Sequence, residues 1–291
     1  TLMLSLSIVG CQSLPDTSHL PKSKALTERV NALYDSSNDL GENDMSTDLS
    51  DIEAQEAIGL ADTVTTDRVE SAEISNVNTQ TGDTPNDPNH TDLVAAISEQ
   101  NQIHPDLSGY HPIVTGANAF AARSVLTDMA TRNIDAQYYI WHDDQSGQLL
   151  LKDLWEAAER GVIVRLLIDD FNSSAALDQQ LLRFSGHPNT AVRLVNPLMH
   201  RQFQALNFVT GLPRINRRMH NKSMTFDKQI TIIGGRNIGN EYLSNDQNSQ
   251  FADLDVLLIG KEVADIDNSF SSYWSAPISY DIETLVTPSK G

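Results

Sequence analysis

A single aromatic side chain, Tyr34, lies in residues 1–100 of this 291-residue chain, and the other 17 of its 18 Phe, Tyr and Trp residues lie beyond. Aromatics carry the largest apolar areas a core can bury. One segment is therefore poorly equipped to build a core and the other is well equipped. Charge divides at the same place: residues 12–100 hold eighteen Asp and Glu against four Lys and Arg, which concentrates most of the formal net charge of −19 in under a third of the chain. Ser, Thr and Asn fill the rest of that stretch, as in Asn-Asp-Met-Ser-Thr-Asp-Leu-Ser-Asp at 43–51. Patches at 25–34 and 52–60 have helical spacing but too little apolar surface to offset the entropy of ordering. The composition predicts a disordered acidic linker over 12–105, with a root-mean-square reach on the order of 50 Å at ~5–6 Å × √n. An acidic chain also lacks the broad basic field with which proteins grip a polyanion, so no nucleic-acid partner is expected.

Ahead of the linker, residues 1–11 form an apolar run that ends in the one cysteine of the chain, Cys11. The run is too short to cross a bilayer as a helix, which takes ~20 residues, and has the length of a signal-peptide hydrophobic region. Ile-Val-Gly-Cys at 8–11 resembles the bacterial lipobox. That resemblance implies a lipoprotein signal remnant over 1–11, lipidation at Cys11, and a membrane anchor in the bacterial cell envelope facing the periplasm. With Thr1 in first place and no positively charged region before the apolar run, the chain is expected to have lost its beginning.

Beyond residue 105 the periodicity becomes α/β. Helical spacing recurs over 117–132, 147–160, 175–184 and 262–274, while 134–141, 162–168, 191–195, 222–227, 229–233 and 253–259 read as strands. The run Val-Ile-Val-Arg-Leu-Leu-Ile at 162–168 is nearly continuous in its apolarity, as expected of a strand covered on both sides. Alternating strands and helices favour a mixed sheet flanked by helices on both faces, one domain over 106–291.

The stretch 214–236 reverses the charge of its surroundings, with six Lys or Arg (214, 217, 218, 222, 228, 236) against the single acid Asp227. Such a reversal marks a place for an anion. Residues two apart on a strand share a face, so His220 and Lys222 point the same way. An imidazole beside a fixed ammonium suits phosphoryl chemistry: the cation neutralises non-bridging oxygens while the ring is available as a neutral nucleophile.

His220, Lys222 and Asp227 form the string His-x-Lys-x4-Asp, followed by Gly-Gly-x-Asn at 234–237, and this string resembles the signature of the phospholipase D superfamily. The likeness extends to Tyr-Tyr-Ile-Trp-His at 138–142, Arg-Leu-Leu-Ile-Asp-Asp at 165–170 and Phe-Ala-Asp-Leu-Asp at 251–255, which together resemble the bacterial cardiolipin synthase branch. The resemblance implies a phospholipase D-like fold and metal-free, cofactor-free phosphatidyl transfer through a phosphohistidine. In it His220 attacks phosphorus, Lys222 and Asn237 hold phosphate oxygens, Asp253 orients the imidazole and Asp227 closes the motif in a role more structural than chemical. Arg217 and Arg218, beside the motif, are candidate phosphate ligands. A second His should protonate the leaving group, yet none of the other seven histidines has Lys two positions on. The missing copy is expected from a second half of the same full-length chain, or from a homodimer mate as in the small nucleases of the superfamily.

Trp141-His142-Asp143-Asp144 and Asp169-Asp170 end predicted strands, where α/β proteins place ligands. A His beside paired carboxylates has the composition of a metal site. In a family read as metal-independent they are taken instead as turn and helix-capping residues of the cleft. One of Tyr138 and Tyr139 is expected in the core, and Phe251 and Trp274 in packing. The functional expectation is a membrane-tethered phosphatidyltransferase acting on phospholipids to make cardiolipin. The alternatives are a single-motif endonuclease working as a homodimer and a catalytically incomplete half that binds lipid head groups.

Overall fold

The computed structural model describes residues 21–35, 97–98, 101–198, 218–243 and 253–289. Eight strands join one mixed sheet: β1 (Ser108–Ile113), β2 (Asn133–Tyr138), β3 (Ile163–Asp169), β4 (Thr190–Val195), β5 (Ser223–Phe226), β6 (Ile230–Gly234), β7 (Asp255–Gly260) and β8 (Ser279–Asp281). The helices are α1 (Pro21–Asp35), α2 (Gly116–Met129), α3 (Gln145–Glu159), α4 (Ala175–Phe184), α5 (Asn240–Leu243), α6 (Glu262–Trp274) and α7 (Ile282–Leu285). The strand order is β1-β7-β6-β5-β2-β3-β4-β8. β2, β3 and β4 run parallel, joined through α3 and α4, and the remaining neighbours are antiparallel. Side chains start the helices where the sequence offers them: Thr115, Asp144 and Ser174 accept from the backbone N–H three residues on, at the first turns of α2, α3 and α4.

Alternation along β3 assigns its two faces. Val164, Leu166 and Ile168 face the larger core with α2, α3 and α4, and Ile163 and Leu167 face a smaller one with α1 and α6. Between the latter two, Arg165 is buried and forms a fork with Asp135 of β2, with bonds of 2.6 and 2.7 Å. Its guanidinium lies 5.0 Å from the Phe270 ring centroid and 5.5 Å from that of Trp274. The flanked mixed sheet and the burial of Trp274 agree with the sequence-based expectation.

The expectation of a disordered linker over 12–105 is corrected in part. Helix α1 packs on the smaller face, with Leu26 and Val30 buried against Leu167, Phe270 and Trp274. It is pinned by polar contacts as well. Ser23 donates to Asp281 at 3.0 Å, Arg29 to Asn189 at 2.9 Å, and Lys22 to the Ser185 carbonyl. Tyr34 donates to Asn133 at 2.5 Å, and Lys228 stands 4.7 Å from its ring centroid. Ile97 is likewise buried in the larger core. The apolar area of α1 is small in isolation, but a preformed sheet face and two aromatic rings of α6 receive it, which sequence composition does not register. Cys11 and most of the acidic stretch lie outside the described residues.

Candidate active site

Sheet register gathers the chemistry at one end of the sheet. Ser223 pairs with Gln137 in antiparallel fashion, so His220 and Lys222, which lead into β5, stand at the carboxyl end of β2. Ile233 pairs with Ser223, which brings Gly-Gly-Arg-Asn at 234–237 to the same end. Gly234 pairs with Asp255, and the segment from Asp253 to Asp255 arrives there too. The carboxyl ends of parallel strands are where α/β folds place ligands.

His220 is exposed, and its ring is 4.8 Å from that of Tyr139 at a 41° tilt; Tyr139 stacks in turn on Phe171. Tyr138, one residue earlier, points into the core, as alternation requires. Lys222 is 7 % exposed, donates to the His220 carbonyl at 2.8 Å and holds its Nζ 3.2 Å from Nδ1 of the same residue. Burial pulls the Lys222 ammonium below its usual pKa, and the carboxylates of Asp253 and Asp255 oppose that pull. Asn237 is buried, and its Oδ1 accepts the Ile140 N–H at 3.0 Å, which leaves the side-chain NH2 as the donating end.

Two glycines permit this geometry. A Cβ on Gly234 would collide with the Asp255 carboxylate and the Leu254 carbonyl, and one on Gly235 with the Asp253 carboxylate. Asp255 is wholly buried, taking a 2.9 Å bond from Arg123 and one of 3.2 Å from the Arg236 N–H. Arg123 also donates to the Tyr138 hydroxyl at 2.9 Å, which ties this buried acid back to β2. Asp253 is less buried and sits against Gly235, where its charge acts on Lys222.

The segment that presents His220 and leads into β5 is held by a residue expected from the sequence as a cap. Asp169, at the end of β3, accepts from the Met219 N–H at 2.9 Å and from Arg218 at 3.0 Å. It also takes the Phe171 N–H, the capping role expected of it. Burial pushes its carboxyl above the usual range, against the pull of Arg218 and of the Met219 and Phe171 N–H groups. The signal available in sequence was a buried strand ending in Asp-Asp, but its partner lies about fifty residues downstream.

Two of the predicted site residues are tied to partners within the fold, Asp227 in the structural role expected of it. Arg218 bonds to Asp169 and to the Asn196 carbonyl, with its guanidinium 5.0 Å from the Phe171 ring centroid, and so braces the segment before His220. Asp227 is wholly buried in the β5–β6 turn, with φ of 49° there and 54° at Lys228. Its carboxylate accepts the N–H groups of Thr131, Arg132 and Asn133 at 2.8, 2.8 and 2.9 Å, so it is an architectural residue. Arg217 and Phe251 lie outside the described residues. Asp143 bonds to Gln148 and Gln180, and Asp170 to the Leu198 N–H, both in turn-building roles.

A mixed α/β domain that sets an imidazole, an ammonium and a side-chain amide around an open face at the carboxyl end of its parallel strands defines a phospholipase D-like protein. More particularly, the chain belongs to the family described as cardiolipin synthase, PLD-like domain, which matches residues 126–274. It is 46% identical over 182 residues to cardiolipin synthase C of Escherichia coli, a match covering 62% of this chain and 38% of that protein. A cardiolipin synthase of Staphylococcus aureus is 31% identical over 161 residues, covering 52% of this chain and 30% of the relative. The chain thus spans well under half the length of these curated relatives. Among solved structures, the phospholipase D family member Nuc from Salmonella typhimurium aligns at a TM-score of 0.45 and 15% identity, over 60% of this chain and 98% of that one. Among the described residues, no helix is long and apolar enough to cross a membrane.

Proposed function

We propose that this chain carries one half of the active site of a phosphatidyltransferase that joins phospholipids into cardiolipin. The observation that carries the reading is the His220–Lys222 pair, 3.2 Å apart at the sheet end to which the Asn237 segment also comes. In the first step a ring nitrogen of His220 bonds to phosphorus while the bond from phosphorus to the leaving glycerol oxygen breaks. The leaving oxygen takes its proton from a second histidine. In the second step a hydroxyl of the acceptor lipid bonds to phosphorus, loses its proton to that same histidine, and the P–N bond breaks.

Lys222 facing Nδ1 leaves the ring proton on Nε2. A phosphate that takes over the ammonium frees Nδ1 to carry the proton, and Nε2 then becomes the nucleophile. Asp253, at the same sheet end, would receive that Nδ1–H in this reading, as carboxylates do in triads. Lys222 and the Asn237 amide meet the charge that builds on the phosphate oxygens. The second histidine comes from another copy of the motif, in the full-length protein or in a homodimer mate. The anchor at Cys11 and a periplasm-facing envelope location belong to the same reading, supported by the lipobox resemblance; together they would hold the site beside its lipid.

The test is product analysis with phosphatidylglycerol vesicles and, separately, single-stranded DNA, using the full-length protein. Cardiolipin together with an acid-labile phosphoryl adduct that disappears in His220→Ala is the expected result. Cleaved DNA without cardiolipin would establish the nuclease alternative, and vesicle binding without turnover the incomplete-half alternative.

A further inference from the structure

Away from His220, a second group of ionisable side chains converges at the end of β2. His142 follows the Trp141 bridge to Ile238, and its own N–H bonds to the Ile238 carbonyl at 2.9 Å. Asp144 caps α3, and Glu241 lies in the first turn of α5. One ligating atom from each of the three lies within 4.8 Å of the others, and the His142 Nδ1 to Glu241 Oε1 distance is 3.2 Å. All three are only partly buried, so an entering ion has a route.

The surrounding backbone holds the group in place. Asp144 accepts the Gly147 N–H at 3.1 Å with one oxygen and the Asn240 N–H at 2.7 Å with the other. Asn240 in turn accepts from the Ser146 N–H and hydroxyl, which clasps the starts of α3 and α5 together. Each Asp144 oxygen keeps a second lone pair. Gly239 faces the convergence: a Cβ there would stand 3.0 Å from His142 Nδ1 and 3.3 Å from Asp144 Oδ2. Among the described residues, neither Asp144 nor Glu241 has a Lys or Arg partner. Two carboxylates share one imidazole, and a dication would balance that charge.

We propose that His142, Asp144 and Glu241 bind a divalent ion of the Zn2+ or Mn2+ class at the rim of the cleft. One imidazole with two carboxylates suits these ions better than Mg2+ or Ca2+, which prefer all-oxygen sites. Donors around one Zn2+ at ~2.0–2.2 Å stand about 3.4 Å apart in a tetrahedron, so a modest side-chain closure from the observed spacing suffices. Three protein ligands leave a position open for water. The ion would tie the end of β2 to α3 and α5, beside the segment that carries Tyr139. No step of the phosphoryl transfer passes through it, so the proposal does not depend on the proposed function.

The test is calorimetric titration of the purified, chelator-treated chain with Zn2+ and separately with Mn2+. One ion per chain is expected for at least one of them, with affinity falling at least tenfold in His142→Ala and in Glu241→Gln. Asp144→Asn keeps an oxygen for the Gly147 cap but sets an NH2 against the Asn240 N–H, and should weaken the ion in the same way. Metal should raise the thermal midpoint of the wild type and not of the variants. Absence of binding up to millimolar metal, or equal binding by wild type and variants, overturns the proposal. A lowered midpoint of a metal-free variant would report a structural role, and affinity would then be compared among only those variants whose metal-free midpoint matches the wild type.

Discussion

The ammonium of Lys222 stands 3.2 Å from Nδ1 of His220 and 2.8 Å from the carbonyl oxygen of the same residue, so one side chain grips both the ring and the backbone of the residue two positions before it. The two residues are unequal in burial: His220 is exposed and Lys222 is 7 % exposed. Substitutions should separate accordingly. His220→Ala is expected to abolish turnover with an unchanged thermal midpoint. Lys222→Ala should cost about 10²–10³-fold in kcat, the usual loss of one preorganised charge-stabilising donor. A Lys222→Ala protein as fast as wild type would remove the residue from the chemistry.

Arg218 offers a choice between two readings that kinetics and stability can divide. As the ion-pair partner of the buried Asp169 it should be structural, because its removal leaves that carboxylate only its bonds from the Met219 and Phe171 N–H groups. Arg218→Ala is therefore expected to lower the thermal midpoint sharply and to reduce kcat by loosening the segment before His220. A raised KM with an unaltered melting curve would instead make Arg218 a phosphate ligand.

Helix α1 provides a stability prediction where composition pointed to a loose tether. Leu26 is 2 % exposed against Leu167, Phe270 and Trp274. Leu26→Ala should destabilise the domain by about 2–5 kcal/mol, the range for large-to-small changes in a core. Denaturant unfolding followed by tryptophan fluorescence reads this directly. A midpoint equal to that of wild type would mean that the helix contributes nothing to the fold.

Asp267 of α6 is buried near Asp135, with one oxygen unpartnered among the described residues and the other 3.3 Å from Lys228. Burial, then the Asp135 charge, raises its pKa above 3.8, with Lys228 opposing. A carboxyl that holds its proton more tightly folded than unfolded penalises folding increasingly as pH rises from 3.8 through the folded value. Asp267→Asn should accordingly be more stable than wild type near neutral pH, and the difference should shrink on acidification. Melting both proteins across that window checks the sign; a gap that widens toward acid pH would contradict it.

Much of the domain was legible along the chain. The central strands and the four long helices beyond residue 105 follow from periods of 2.0 and 3.6 residues, which local covalent geometry imposes on any segment with an apolar face. β1 and β8 escaped notice because edge strands such as Ser-Gly-Tyr-His-Pro-Ile lack a clean apolar alternation and owe their form to the neighbour they pair with. Helix α1 was undervalued for a related reason: the area it buries depends on what receives it.

His220 and Lys222 could be picked out from spacing and charge, since an extended segment carries residues two apart on one face and a basic run in an acidic chain marks an anion site; Asn237 and Asp253 came only from the resemblance to the phospholipase D signature. The contacts that hold them could not be picked out in either way. Asp169 reaches the Met219 N–H, Asp227 reaches 131–133, and Glu241 reaches His142, each across a gap that only the strand order and register close. The sequence by itself determined which residue types are available and which local elements carry them, because those depend on neighbours along the chain. Tertiary structure alone decided which carboxylate braces, which caps and which stays open to the site, because a charge takes its role from the groups brought within a few ångströms of it, and that proximity is a property of the folded sheet.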